Sequence, residues 1–145
     1  MRIIGGRFKG KKILQPKNNQ TRPLKDLTKE SIFNILNHSN KFKISVENSI
    51  ILDLFSGVGS FGLECLSRGA RHVTFVENYS GVLSILKNNL NNLNISKKYK
   101  IIEENLISNF PIKKIRQKFN IIFLDPHIKK KDYQILLTIY FKKKF

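Results

Sequence analysis

Ile50-Ile51-Leu52-Asp53-Leu54-Phe55-Ser56-Gly57-Val58-Gly59-Ser60-Phe61-Gly62 is the stretch that decides the fold of this chain. An apolar run of strand length ends in an acid and a glycine-rich turn. Leu63-Glu64-Cys65-Leu66 then follow with helical spacing. A strand, a glycine turn and a helix start together build a nucleotide site. Gly57 and Gly59 lack a Cβ, so a ligand can approach their backbone closely.

Gly57-Val58-Gly59-Ser60-Phe61-Gly62 matches the dinucleotide fingerprint G-x-G-x-x-G letter for letter. Asp53 separates the readings. A pyrophosphate would be repelled by a carboxylate at the strand's end. S-adenosylmethionine carries an ammonium and a sulfonium, and Asp53 suits both. The pattern Asp53-x-Phe55-x-Gly57-x-Gly59 then resembles motif I of the class I methyltransferases. A glycine turn that serves only packing is the remaining alternative.

Working outward, strands are expected over 49–54, 72–77, 99–103 and 119–125. Helices are expected over 61–67, along a stripe of Val82, Leu83, Ile85, Leu86, Leu90 and Leu93, and over 132–140. This alternation implies an α/β, doubly wound parallel sheet of Rossmann type. The uninterrupted apolar run 119–125 suits a central parallel strand. Upstream, a helix should start near Asp26, with Leu27, Ile32, Phe33, Ile35 and Leu36 at roughly helical spacing. Residues 41–49 read as a loop. The first 14 residues read as two short strands around glycines, a basic hairpin. The expected division is a basic leader and linker over 1–23 and a main domain over 24–145.

The chain has 145 residues, enough for one domain with a real core. No apolar run is long enough to span a bilayer, and the basic N-terminus lacks the apolar segment of a signal peptide. The single cysteine excludes a disulfide framework and a cysteine-based zinc site. His38, His72 and His127 are scattered, so no metal is expected. The cytoplasm is the expected location. A net charge of +17 points to a polyanionic partner, most simply nucleic acid, although the excess of lysine also fits an A+T-rich coding sequence. The leader's cations could straddle phosphates, or could simply discourage edge pairing of the hairpin.

Glu77 closes the second strand, 20 residues after Gly57. It can accept hydrogen bonds from both ribose hydroxyls, whichever nucleoside cofactor is bound. Asn105, after the third strand, either bonds the adenine edge or is an ordinary turn asparagine. Asp125-Pro126 ends the fourth strand, whose carboxyl end should abut that of the first. An exocyclic amine is a poor nucleophile because its lone pair is delocalised into the base. The Asp125 carboxylate and the Pro126 carbonyl could accept its two hydrogens and aim the lone pair at a methyl carbon. Positioning and electrostatics would supply most of the rate, without a metal. A capping Asp-Pro turn is the alternative.

These residues resemble the bacterial 16S rRNA (guanine(966)-N(2))-methyltransferase family. The matching blocks run through most of the chain: Met1-Arg2-Ile3-Ile4-Gly5-Gly6-Arg7-Phe8-Lys9-Gly10, Thr21-Arg22-Pro23, Lys29-Glu30-Ser31-Ile32-Phe33-Asn34-Ile35-Leu36, Leu52-Asp53-Leu54-Phe55-Ser56-Gly57, Leu66-Ser67-Arg68-Gly69-Ala70, Phe75-Val76-Glu77 and Ile122-Phe123-Leu124-Asp125-Pro126. The resemblance implies methyl transfer from S-adenosylmethionine, with S-adenosylhomocysteine as product, to the N2 amine of a guanine. The implied partner is 16S rRNA within the 30S subunit or its assembly intermediate, met by a monomer. It implies cofactor contacts from Asp53, Phe55, Ser56, Gly57, Gly59, Glu77, Asn78 and Asn105. It implies rRNA contacts from Arg7, Lys9, Lys11, Lys12, Arg22, Lys25 and Lys29.

The fourth motif of this chain is Asp125-Pro126-His127-Ile128, expected to form the catalytic loop. His127 stands where the family has a second proline. Ile128 stands where an aromatic ring would stack the extruded base, worth roughly 1–3 kcal/mol. The family's sheet continues through three more strands, so the chain reads as C-terminally truncated, with an apolar edge left on strand four. Two other readings follow: an inactive remnant that binds only cofactor or rRNA, and an adenine-N6 methyltransferase of DNA or RNA.

Overall fold

A computed structural model describes residues 1–17, 24–38, 44–111 and 113–126. The elements are α1 (Asp26–His38), β1 (Ile50–Leu54), α2 (Ser60–Ser67), β2 (His72–Val76), α3 (Ser80–Asn91), β3 (Tyr99–Ile102) and β4 (Ile121–Leu124). The expected final helix over 132–140 lies outside the described residues, as do Arg22, His127 and Ile128.

The four strands form one sheet in the order β3-β2-β1-β4, every pair parallel. The chain steps outward from β1 to β3, then returns to lay β4 on the other flank of β1. The strand order therefore reverses between β1 and β4, where sheets of this kind bind ligands beyond their carboxyl ends. The register sets Leu54 between Val76 and Leu124, so the three strands end level with one another. The doubly wound α/β expectation is met, with strand ends within two residues of those read from the sequence.

Alternation along β1 divides the core in two. Ile51, with Val73 and Phe75 of β2, packs under α1, α2 and α3. Leu52 and Leu54, with Val76 and Ile102, face a second cluster that Phe110, Ile115, Phe119 and Leu124 complete. Asp53 lies on the helix-covered side. Along α3 the expected stripe is buried at Val82, Leu83, Leu86 and Leu90, and Asn89 is buried beside it.

Among the described strands β4 pairs only with β1, and its four residues are half-buried, in keeping with the apolar edge expected on strand four. One expectation needs correction. The inward face of α1 carries Lys29, Ile32, Phe33 and Leu36, while Leu27 and Ile35 are 76% and 55% exposed. A lysine inside the apolar stripe displaced the face read from the sequence. The leader bends back on itself as the expected hairpin: Arg2 and Lys12 form an antiparallel bridge, Ile3 N–H donates to the Lys11 carbonyl, Gly10 N–H to the Ile3 carbonyl and Ile13 N–H to the Met1 carbonyl. Other amides of the leader bond α2. Ile4 and Gly5 donate to the Glu64 carboxylate at 2.9 and 2.8 Å, Phe8 donates to Ser67 Oγ, and Arg7 donates to the Ser67 carbonyl. Asn89 holds the leader's other arm, accepting from Leu14 N–H and donating to its carbonyl. Ile3 and Ile13, each 1% exposed, enter the main core, and such burial contributes about 1.5–3 kcal/mol per side chain.

Candidate active site

The site is built on the turn that follows β1. Phe55 adopts φ 56 and Gly57 φ 55, so the chain turns sharply as it leaves the sheet. Such conformations persist only where the surroundings hold them, and they concentrate at functional sites. Here the Ser56 amide donates to the Val76 carbonyl, Gly59 donates to the Ser56 carbonyl, and Gly57 donates to Glu77 Oε2 at 2.8 Å. The other carboxylate oxygen of Glu77 accepts the amides of Asn78 and Tyr79 at 2.9 and 2.8 Å. Glu77 thus ties the end of β2 to the turn after β1. A carboxylate has about four acceptor sites, and these three bonds leave capacity for a hydroxyl.

Asp53 is 2% exposed, and its Oδ2 accepts the Gly62 amide at 3.0 Å. Burial pushes its carboxyl up to about 7; the Gly62 hydrogen bond opposes that, and the charges of Glu77 and Asp125 add to it. Asp53 therefore anchors the first turn of α2 as well as lining the cleft.

That cleft brings together Asp53, Phe55, Ser56, Gly57 and Asp125. Asp125 is exposed at the end of β4, and Pro126 behind it is buried. Two observations fit S-adenosylmethionine. The Ser56 hydroxyl is buried without a hydrogen-bond partner and lines the cleft, so it waits for a polar ligand atom. A Cβ built on Gly57 meets nothing within 4 Å, so the missing side chain leaves open space at the turn. The carboxylates of Asp53 and Asp125 suit a cationic ligand.

Gly59 is different. Its φ of 86 favours glycine, its amide is already bonded, a Cβ there would stand 2.5 Å from Leu86 Cδ1, and it is not among the residues that line the cleft. Asn105 uses Oδ1 to accept the amides of Ile107 and Ser108, the turn alternative, and does not line the cleft. Asn78 joins the site only through its backbone bond to Glu77.

Sequence reasoning missed Gln15, Leu24, Val58, Ser60, Phe61 and Phe123, which complete the lining. Gln15 and Leu24 come from the leader side, far from motif I in sequence, so no local spacing could reveal them. Phe61 stacks on Phe123 with centroids 3.9 Å apart, joining α2 to β4 beneath the cleft.

Of the cations expected to meet rRNA, Arg7, Lys9, Lys11, Lys12 and Lys25 are exposed. Arg7 and Lys11 flank the Phe8 ring at 5.3 and 5.2 Å. Lys29 is a correction: it is 0% exposed, and its Nζ donates to the Arg2 carbonyl at 2.6 Å and lies 3.5 Å from Glu64 Oε2. A cation buried against a carboxylate is not available to RNA. No described helix is long and apolar enough to cross a membrane.

The model of a family described as "Conserved hypothetical protein 95" matches residues 1–145. A Bacillus subtilis relative, YlbH, is 34% identical over 140 residues, covering 96% of this chain and 73% of its own length. The Haemophilus influenzae protein named Ribosomal RNA small subunit methyltransferase D is 35% identical over 127 residues, 87% of this chain and 63% of that protein. The Escherichia coli K12 protein of the same name is 33% identical, with 87% and 59% covered. The chain thus spans about three fifths of the length of these last two relatives. The solved Escherichia coli chain yhhF superposes with a TM-score of 0.75 at 30% identity, over 96% of this chain and 71% of that one.

Proposed function

The chain belongs to the Conserved hypothetical protein 95 family, and from that premise we propose that it transfers a methyl group from S-adenosylmethionine to the exocyclic N2 amine of a guanine in 16S rRNA. The proposed partner is the 30S subunit or its assembly intermediate, met in the cytoplasm by a monomer. Relatives named as small-subunit rRNA methyltransferases support the reaction class and the substrate. The observation that carries the reading is the placement of Asp125 at the end of β4, in one cleft with Asp53, Ser56 and Gly57.

In this reading Glu77 holds the ribose, the Gly57 turn admits the cofactor against its backbone, and Ser56 Oγ bonds a polar atom of the cofactor. Asp53 and Asp125 favour its positive charge. The cofactor supplies an electrophilic methyl group on a sulfonium. The Asp125 carboxylate and the Pro126 carbonyl accept the two hydrogens of the guanine amine and orient its lone pair. Orientation of this kind can supply several kcal/mol of the barrier.

The test is methyl transfer from labelled S-adenosylmethionine to unmodified 30S particles, with the modified nucleoside mapped by mass spectrometry. Label on guanine N2 is expected. Label on adenine N6 would move the assignment to that amine. No label, beside an active relative, would leave a chain that only binds cofactor or rRNA.

A further inference from the structure

A second cleft, between the leader and α1, has no part in the chemistry described above. Arg2, Lys9, Glu30, Asn34 and Arg68 line it. Arg68 caps the C-terminus of α2, whose other end borders the first cleft. At 1.5 Å per residue the eight residues of α2 separate the two by about 12 Å.

Arg68 is held on three sides. Its Nε donates to Glu64 Oε1 at 2.9 Å. Its guanidinium carbon lies 4.4 Å from the Phe33 ring centroid. A Cβ at position 5 would stand 2.5 Å from Nη2, so Gly5 makes the space that the guanidinium fills. The side chain is 21% exposed. The fork is therefore fixed in orientation, and its partial exposure leaves the donor end open to solvent. Glu64 is already balanced by Lys29 as well as Arg68. Arg2 and Lys9 are exposed at the same cleft, whose lining holds one acid, Glu30, and Arg2 Nε also lies 3.9 Å from Asp26 Oδ2.

A guanidinium held in one plane, ringed by flexible cations and an asparagine amide, has the chemistry that binds a phosphate in a bidentate manner. We propose that this cleft is a phosphodiester subsite, with Arg68 as its fixed donor and Arg2 and Lys9 as its mobile cations, which holds the substrate RNA backbone one helix length from the reacting amine. The proposal rests on the rRNA reading above. If Arg68 served only to neutralise Glu64, a lysine would replace it without loss of RNA affinity.

The test uses the full chain, a fluorescein-labelled RNA hairpin and a salt titration, with S-adenosylhomocysteine affinity measured in parallel. Arg2→Ala with Lys9→Ala should weaken RNA binding about tenfold and flatten its salt dependence by between one and two counterions. Lys97→Ala with Lys98→Ala removes the same charge from the turn before β3 and should cost less than twofold. Arg68→Lys should weaken RNA binding at least fivefold and leave S-adenosylhomocysteine affinity unchanged. Equal losses from the two double variants, or full RNA affinity in Arg68→Lys, would overturn the subsite and leave the methyltransferase reading standing. A wild-type chain that binds S-adenosylhomocysteine but not the hairpin would overturn the RNA reading together with the subsite.

Discussion

Lys29 Nζ lies 3.5 Å from Glu64 Oε2, and both side chains are fully buried. This pair joins α1 to α2 at the point where the leader's Ile4 and Gly5 amides also end on Glu64. Desolvation lowers the pKa of Lys29, and Glu64 and then Asp26 work against that shift. Removing one member of a buried pair leaves an uncompensated charge, typically costing about 3–5 kcal/mol. Arg68 still partners Glu64, so Lys29→Met should cost about 3 kcal/mol in urea unfolding. Lys29→Met with Glu64→Gln should cost less than the sum of the single changes. Additive losses would mean that the two residues are not coupled.

Asp53 makes stability depend on pH. Its folded value of about 7 stands above its ordinary 3.8, so the folded state binds the proton more tightly. The associated stabilisation is fully present below pH 3.8 and is lost as pH rises through about 7. The displacement corresponds to on the order of 4 kcal/mol. Asp53→Asn should remove that slope between pH 4 and 7, read as the difference in urea midpoint between the two proteins. Parallel curves would show that Asp53 does not titrate in this range.

Gly57 and Gly62 sit in one motif with different duties. A Cβ at Gly57 enters open space, whereas a Cβ at Gly62 would lie 2.2 Å from the Phe75 ring. Gly57→Ala should cost about 1–2 kcal/mol for its positive φ and lower S-adenosylhomocysteine affinity at least tenfold. Gly62→Ala should cost about 1–3 kcal/mol or more through overpacking. Calorimetric titration and thermal unfolding of both variants separate the effects. A Gly57→Ala chain with full cofactor affinity would remove that turn from the binding site.

Asp125→Ala should abolish methyl transfer to 30S particles and change S-adenosylhomocysteine affinity less than threefold. Asp125 is exposed, so its loss should leave the unfolding midpoint nearly unchanged. Retained turnover would exclude Asp125 from orienting the amine.

The order of strands and helices was legible because each apolar run has a length and period that only one element satisfies. Ile50–Leu54, the glycine turn and α2 could be placed within a residue. The pairing of Gly57 with Glu77 was also within reach, because a strand end and the turn beside it recur at a set spacing. Lys29 was misplaced for a physical reason. A lysine on a helix is read as solvated, since its burial is costly without a partner, and its partner Glu64 lies 35 positions away. That a Cβ at Gly59 would meet Leu86, on another helix, could not be read from the motif's spacing.

The sequence by itself determined the parallel α/β sheet, the turn after β1 and the acids at the strand ends, all of which follow from local period and spacing. Only the tertiary structure decided that the leader is bound to α2 through Glu64 and Ser67 and to α3 through Asn89, that Gln15 borders the same cleft as Asp53, and that Arg68 is held over Phe33. These depend on which distant polar groups meet once the core has closed, and burial then makes each such meeting obligatory, because an unpaired polar group inside costs about 1–3 kcal/mol.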